Sequence, residues 1–212
     1  MNHLAETALR RARNGIFTFG DVTNWFSDSS RASVYAHVQR ALKTGEVVQV
    51  RRGLYHLSRE VYPKLVSTYV LANMIYGPSY VSFEAALSYY DWIPEAVRNV
   101  QCVTNVRPRV FETIHGNFSY VMVKQTPMIA GVTCRDDGYG SFLMATPLKA
   151  LADLVACRGL DWSGCHPLIH SLRIEEEELE SLTGEEFDCL DGVYYSKRAR
   201  TFLAGVRKDL NV

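Results

Sequence analysis

The chain has 212 residues, a length that suits one domain with a small additional module or two compact domains. Its hydrophobic content of 47% and aromatic content of 11% supply enough apolar surface for a folded core, which excludes a wholly disordered or fibrous protein. The longest apolar runs, such as 68–75, are far shorter than the roughly 18 to 20 residues that span a bilayer, and the N-terminus lacks the pattern of a secretory signal. We therefore expect a cytoplasmic protein that does not enter a membrane.

Charge is segregated along the chain although the formal net charge is +0. Residues 1–66 hold ten Lys/Arg and five Asp/Glu, whereas residues 160–191 hold one basic and ten acidic residues. The stretch 67–159 is balanced at seven of each, and 192–212 returns to five basic residues against one acidic. A basic N-terminal segment suits a phosphate-binding surface, and an ordinary solvated surface is the open alternative.

The first predicted elements are two helices. Residues 2–13 carry apolar side chains at helical spacing and end at Asn14 and Gly15. Thr18 can cap a second, short helix with Asp21 in its first turn, where a carboxylate suits the helix dipole.

A third helix follows the polar turn 27–30, with an apolar stripe through Val34 and Val38 that stops at Gly45. Its opposite face is small, polar and basic, with Ser33, Ala36, Arg40 and Lys43 at its centre and Arg31 and Tyr35 at its margins. A helix that enters the DNA major groove needs small residues near the bases, hydrogen-bonding groups near its N-terminus and flanking cations.

A β-hairpin is predicted next, from 47–50 and 54–57 with two arginines at its tip. Three helices and such a hairpin predict a winged helix-turn-helix domain over residues 1–60, either for DNA binding or for protein interaction. In the DNA-binding interpretation, the base-reading residues are Ser30, Arg31, Ser33 and Tyr35. The phosphate-binding residues are Arg40, Lys43, Arg51 and Arg52, of which the last two could enter the minor groove.

These stretches also resemble a known family. The segments 30–35, 41–48 and 51–55, the last reading Arg-Arg-Gly-Leu-Tyr, are similar to the N-terminal domain of the AbiEi antitoxins of type IV toxin–antitoxin pairs. Two later segments agree with it: 80–94 resembles the family's helix after the winged helix, and 145–154 resembles its "A-x-P-x-[KR]-A-L-x-D" helix. The resemblance implies a repressor that binds inverted repeats in its own operon, and an antitoxin that counteracts a nucleotidyltransferase-like toxin, with no cofactor.

Residues 65–212 predict a second domain of the α+β class. Strands are expected at 100–105, 109–115, 118–124 and 129–135, forming an antiparallel sheet with helices on it. Asp153 lies off the apolar stripe of the helix that begins at Pro147, so we expect a cap or a salt bridge that orients this helix rather than a catalytic group. An acidic helix is predicted over 175–186 and a basic amphipathic helix over 194–208, which either docks on the acidic segment or binds phosphates.

The sequence contains no catalytic motif, such as a phosphate loop or a nucleophile elbow, and we do not expect an enzyme. Two rivals remain open: a nuclease targeted by the winged helix, and a ligand-sensing transcription factor without a toxin partner. The nuclease would draw on Arg109, Glu112, Lys124, Asp136 and Asp137. The cysteines and histidines at Cys157, Cys165, His166 and His170 match no standard zinc spacing, so no metal site is predicted.

Overall fold

The computed structural model describes residues 1–95, 97 and 99–212. It is a mixed α+β protein, which confirms the predicted fold class. The chain forms two compact units. The N-terminal unit comprises Met1–Ile75, Thr113–His115 and Asp136–Ser141, and the C-terminal unit comprises Tyr76–Glu112, Gly116–Arg135 and Phe142–Val212.

The first 75 residues of the N-terminal unit contain four helices and a three-stranded antiparallel sheet in the order β1-β3-β2. Their bounds are α1 His3–Arg11, β1 Ile16–Thr18, α2 Phe19–Trp25, α3 Arg31–Lys43, β2 Val47–Arg51, β3 Leu54–Leu57 and α4 Thr68–Ile75.

The predicted helix boundaries in this unit follow from side-chain caps. Thr18 and Asp21 form a capping box at the start of α2, in which the Asp21 backbone N–H donates to Thr18 Oγ1 at 3.1 Å and the Thr18 N–H donates to Asp21 Oδ2 at 2.7 Å. Ser30 caps α3 by accepting a hydrogen bond from the Ser33 N–H at 3.2 Å. The cap at Thr18 confirms a prediction from the sequence, whereas the Ser30 cap at the end of the predicted polar turn 27–30 and the short strand β1 were not specifically predicted.

The core of this unit lies between the three helices and the sheet. Val34, Val38 and Ala41 on the inner face of α3 are buried against Leu4 and Ala8 of α1 and the inner face of the sheet. The stripe predicted from the sequence is therefore the buried face, and the predicted polar face of α3 is turned to solvent.

The C-terminal unit contains the remaining helices and almost all of a six-stranded sheet in the order β6-β7-β5-β4-β9-β8, of which only the strand-end residues Thr113, Asp136 and Ser141 belong to the N-terminal unit. Its strands are β4 Ser79–Val81, β5 Val100–Thr104, β6 Arg109–Thr113, β7 Gly116–Met122, β8 Val132–Asp136 and β9 Ser141–Ala145. Its helices are α5 Phe83–Tyr89, α6 Pro147–Arg158, α7 His166–Leu172, α8 Glu176–Glu180, α9 Gly184–Leu190 and α10 Lys197–Leu210. Among the residues described, no helix has the length and apolar character needed to cross a membrane.

The prediction of an antiparallel sheet is wrong in this unit. β4 pairs with β9 in parallel and β5 pairs with β7 in parallel, while β4 and β5 are antiparallel. The parallel pairing of β5 with β7 follows from the order of the strands. The chain passes from β5 to the edge strand β6 and then returns as β7, which lies between β5 and β6. Hydrophobic alternation identifies strands but does not carry this order.

Two helix predictions are corrected as well. The segment from Tyr80 begins as strand β4, and α5 starts only at Phe83, because the Ser82 N–H donates to the Gln101 carbonyl in continuation of the sheet. The acidic segment 175–186 forms two short helices instead of one, since Leu182 turns into the core and Thr183 begins α9 with its own capping box.

Candidate nucleic-acid interface

The exposed face of α3 carries the residues predicted to read bases. Ser30 and Arg31 are exposed at its N-terminal end, Ser33 is half-buried, and Tyr35 keeps 56% of its surface in solvent. The Ser30 hydroxyl oxygen accepts the cap hydrogen bond, so this side chain also fixes the point at which the helix begins. Small and hydrogen-bonding groups therefore stand at the N-terminal end of the exposed face, where a recognition helix contacts bases.

The C-terminal half of α3 presents two cations. Arg40 and Lys43 are both exposed, about one helical turn apart, and both lie in the last turn of the helix. The Arg40 Nε–H donates to the Ala36 carbonyl at 3.3 Å, which holds its guanidinium along the helix surface. Cations there also suit the negative end of the helix dipole.

The two hairpin arginines have different environments, a difference that the sequence did not predict. Arg51 is half-buried at the end of β2 and its Nη1 donates to the Arg52 carbonyl at 3.2 Å, so it braces the turn. Arg52 is exposed in the turn, followed by Gly53 with a φ of +82°. Of the two, Arg52 is thus the arginine positioned for an outside ligand.

One cleft joins α3 to the hairpin. It has a volume of about 660 Å³ and is lined by Phe19, Arg31, Ala32, Tyr35, Arg52, Gly53 and Tyr55. Two arginines, three aromatic rings and a methyl group therefore face the same open space. The structure thereby brings together Arg31, Tyr35 and Arg52, which the sequence placed in two separate elements.

Phe19 and Tyr55 were not among the predicted site residues, yet they shape this cleft. The Phe19 N–H donates to the Gly53 carbonyl at 2.9 Å, which ties the hairpin turn to the start of α2. The Tyr55 ring stacks on Phe17 with centroids 5.8 Å apart, and burial raises the pKa of its hydroxyl. Phe19 directly follows the capping residue Thr18, and only this position in the sequence could have indicated that Phe19 lies near the hairpin.

The remaining face of α3 is held by aromatic packing. His37 stacks on Phe26 with centroids 4.9 Å apart and an interplanar angle of 12°. Burial, then the nearby Arg40 and His3, lower the pKa of His37, so it is neutral at pH 7. A neutral His37 packs against Phe26 and adds no charge to the exposed face of α3.

A second cluster, fully buried, lies in the C-terminal unit. The Lys149 Nζ is 3.4 Å from Asp153 Oδ1, one helical turn along α6, and neither side chain is exposed. The Tyr80 hydroxyl donates to Asp153 Oδ2 at 2.8 Å and the Tyr194 hydroxyl donates to Oδ1 at 2.7 Å. The salt bridge expected for Asp153 is confirmed, but with its partner on the same helix and with hydroxyl donors from distant parts of the chain.

Two further side chains, the buried Ser82 and the half-buried Gln125, complete the hydrogen bonding of the cluster. Ser82 donates a further hydrogen bond to Asp153 Oδ2 at 2.8 Å, and Gln125 accepts from Lys149 Nζ while its Nε2 donates to the Tyr80 hydroxyl at 2.7 Å. Burial, together with the neighbouring Asp153 carboxylate, raises the pKa of the Tyr80 hydroxyl, so it stays a donor at neutral pH. The arrangement anchors α6 in the core.

The residues considered for a nuclease lie on different elements of the chain. Glu112 lies on β6 and Asp136 ends β8, the two opposite edges of the six-stranded sheet. Asp136 accepts hydrogen bonds from the Gly138 N–H at 2.8 Å and the Ser141 hydroxyl at 2.9 Å, which lower its pKa, and Asp137 accepts from the Tyr139 N–H at 3.0 Å. Arg109 stands over the Tyr76 ring, and Lys124 follows β7. Within the described part of the chain, no three His, Cys, Asp or Glu side chains are grouped as a metal site.

The sequence matches no protein-family model and no curated protein at a significant level.

Proposed function

We propose that this protein is a sequence-specific DNA-binding repressor and that its N-terminal unit is a winged helix. The element order α1, β1, α2, α3, β2, β3 and the sheet order β1-β3-β2 support this proposal, because winged-helix domains use that connectivity. The observation that carries it is the cleft in which Arg31, Tyr35 and Arg52 face one exposed surface. A recognition helix flanked by a basic hairpin is suited to the major groove and an adjacent groove or backbone of a duplex.

In the proposed mechanism, the N-terminal half of α3 contacts base edges. Arg31 is suited to a bidentate contact with guanine, and Ala32 and Tyr35 supply an apolar surface for a thymine methyl group. Ser30 and Ser33 supply short hydroxyl groups that fit close to the bases. Sequence preference would therefore come from this end of the helix.

The cations around this face would fix the protein on the DNA backbone. Arg40, Lys43 and Arg52 are exposed and flank the base-reading end, and each is suited to a phosphate. Arg51 would act indirectly, because it braces the turn that presents Arg52. Every phosphate contact adds a salt-dependent contribution to affinity through counterion release.

On the resemblance to the AbiEi antitoxins, the protein would repress its own two-gene operon by binding inverted repeats near the promoter. The C-terminal unit would then counteract a nucleotidyltransferase-like toxin encoded beside it. Growth of cells that express this neighbouring gene, with and without the present chain, tests the antitoxin part. Equal growth inhibition in both would contradict it.

The DNA-binding part is tested by a mobility-shift titration with the DNA upstream of its own gene and with scrambled DNA of equal length, at two salt concentrations. A preference of about a thousandfold or more is expected for a specific regulator. Equal, weak and salt-sensitive binding to both duplexes would reduce α3 to a general phosphate surface. Metal-dependent nicking of plasmid DNA in the same samples would favour a nuclease instead.

A further inference from the structure

A second open groove lies in the C-terminal unit, beside the edge strand β8. It has a volume of about 560 Å³, and its lining includes Ile129, Gly131, Val132, Thr183, Glu185 and Glu186. We call it the β8 groove. One wall is the segment 127–133, and the other is formed by Thr183 and one side of α9.

The first wall of the β8 groove, the segment 127–133, is apolar and partly exposed to solvent. Ile129 has 66% of its surface exposed, and Val132 beside it is half-buried. Ile129, Ala130 and Val132 together give this side of the groove an apolar surface that an apolar side chain of a partner can cover.

The groove is preformed, because backbone hydrogen bonds fix its first wall at both ends. The Thr126 N–H donates to the Val193 carbonyl at 2.9 Å, and the Thr146 N–H donates to the Gly131 carbonyl at 2.8 Å. Gly131 has a φ of +68°, and a Cβ there would come within 2.9 Å of a Leu190 methyl group, so the wall is pressed onto the core. A rigid surface binds a partner with a smaller loss of conformational entropy.

The second wall is strongly acidic. Glu185 is exposed at the rim, and Glu186 accepts the cap hydrogen bonds of Thr183 at the start of α9. These two glutamates are the acidic residues that line the groove, and the four glutamates of α8 lie outside its lining. Among the described residues, none of the glutamates from 175 to 186 forms an ion pair.

The basic helix α10 does not neutralise this wall. Its Arg207 pairs with Asp188 on α9 at 2.8 Å, and its Arg198 pairs with Asp161 at 2.6 Å. Neither pair involves the acidic segment 175–186, where α10 comes close only through Arg207, which lies beside Gly184 at the start of α9. The glutamates that line the groove therefore have no salt-bridge partner on α10. An apolar wall beside an unneutralised acidic wall is complementary to a segment that carries apolar and basic side chains on adjacent faces.

We propose that the β8 groove binds a basic amphipathic segment of another protein, with an apolar side chain against Ile129 and Val132 and Lys or Arg side chains against Glu185 and its neighbours. This interaction goes beyond DNA binding and does not depend on it, since all the residues involved belong to the C-terminal unit. The proposal also does not depend on which toxin the protein counteracts.

The test uses the full chain and two fluorescent synthetic peptides of about four helical turns, one built from Leu and Lys and one from Leu and Glu with the same apolar face. Anisotropy titrations at low and high salt measure their binding. We expect the Leu/Lys peptide to bind in a salt-sensitive manner and the Leu/Glu peptide not to bind. Absence of binding by the Leu/Lys peptide, or equal binding of both peptides, would overturn the proposal.

Matched variants locate the site. Ile129→Asn should weaken binding of the Leu/Lys peptide about tenfold, and Glu185→Lys should weaken it about fivefold and reduce its salt dependence. The controls are Val110→Asn and Glu112→Lys, on exposed positions of the far edge strand β6, and should change binding less than about twofold. Equal losses in the groove and control variants would show a nonspecific acidic surface and overturn the proposal.

A second copy of the chain is the rival occupant. Sedimentation of the unmodified protein and of Ile129→Asn over a range of concentrations detects it. Self-association that this substitution abolishes would assign the groove to a homodimer and contradict the proposal. DNA binding by Ile129→Asn should remain unchanged, so failure of the groove proposal is separable from failure of the repressor proposal.

Discussion

Lys149 and Asp153 form an ion pair one turn apart on α6 in which neither side chain has any surface exposed to solvent. Such a pair is held in place by the hydroxyl donors around the carboxylate, chiefly Tyr80 and Tyr194. The motif that a family resemblance highlights at 145–154 thus contributes a polar anchor inside the C-terminal core.

Removal of the lysine charge should therefore destabilise the C-terminal unit strongly. In Lys149→Met the Asp153 carboxylate stays buried without its cation, and the free energy of unfolding should fall by about 3 to 5 kcal/mol. Urea unfolding followed by tryptophan fluorescence and circular dichroism measures this change. The exposed Lys124 provides the control as Lys124→Met, which should stay within about 0.5 kcal/mol.

The double variant Lys149→Met with Asp153→Leu tests the same explanation. Because it removes both charges, its loss of stability should be smaller than the sum of the two single losses. Strictly additive losses would show that the two side chains act independently.

From the sequence alone, Arg51→Ala with Arg52→Ala should weaken operator binding and reduce the slope of log affinity against log salt by up to about two. Because Arg51 braces the turn, we now expect the double variant to reduce the slope by about one. The structure separates the two contributions. Arg52→Ala alone should reduce the slope by about one, because Arg52 is the exposed cation. Arg51→Ala should reduce the affinity through a looser turn, since its guanidinium binds the Arg52 carbonyl.

Mobility-shift titrations at several salt concentrations distinguish these effects. Arg59 is an exposed cation of the same unit outside the cleft, and Arg59→Ala is the matched control. A double variant with unchanged affinity and unchanged salt dependence would show that the hairpin does not contact DNA.

Tyr35 should contribute to sequence preference rather than to general affinity. Its ring is exposed at the cleft and carries no charge, so Tyr35→Ala should leave the salt slope unchanged. At one or two operator positions it should reduce discrimination by about 1 to 3 kcal/mol. Competition of single-base operator variants against the parent duplex measures this loss, and a uniform loss over all positions would contradict base contact.

The helices of the N-terminal unit could be predicted because the residues that define each helix are close together in the sequence. Thr18 and Asp21 are three positions apart, and the stripe through Val34 and Val38 has the period of a helix, so caps and buried faces were identifiable. The cleft itself could not be predicted. Phe19 reaches it through a backbone hydrogen bond to Gly53, and no local pattern records that long-range contact.

The C-terminal unit was less predictable for the same reason. The buried cluster unites Ser82, Gln125, Asp153 and Tyr194, which are far apart in the sequence, and the parallel pairing of β5 with β7 depends on where β6 lies. Local propensity identifies elements, whereas tertiary packing decides which of them meet.

Acid should weaken the N-terminal unit through Glu46. The Asn2 N–H donates to both of its carboxylate oxygens, at 2.9 and 2.8 Å, and this contact, with the Thr44 hydroxyl, lowers the pKa of Glu46 from its ordinary 4.5. Because the pKa is lower in the folded than in the unfolded state, the stabilisation is complete above about 4.5 and is lost as the pH falls through the folded-state value.

We expect the difference in melting temperature between the unmodified protein and Glu46→Gln to depend on pH. Thermal unfolding of the unmodified protein and of Glu46→Gln should show a lower melting temperature for the variant at pH 7, and the two curves should converge as the pH falls below about 4.5. Glu60→Gln, an exposed position of the same unit, should melt like the unmodified protein at every pH. A gap between Glu46→Gln and the unmodified protein that stays constant down to the lowest pH would mean that the Glu46 charge does not hold the start of α1. The loss would then have to come from the shape of the side chain, because a glutamine keeps one acceptor oxygen for the Asn2 N–H at any pH.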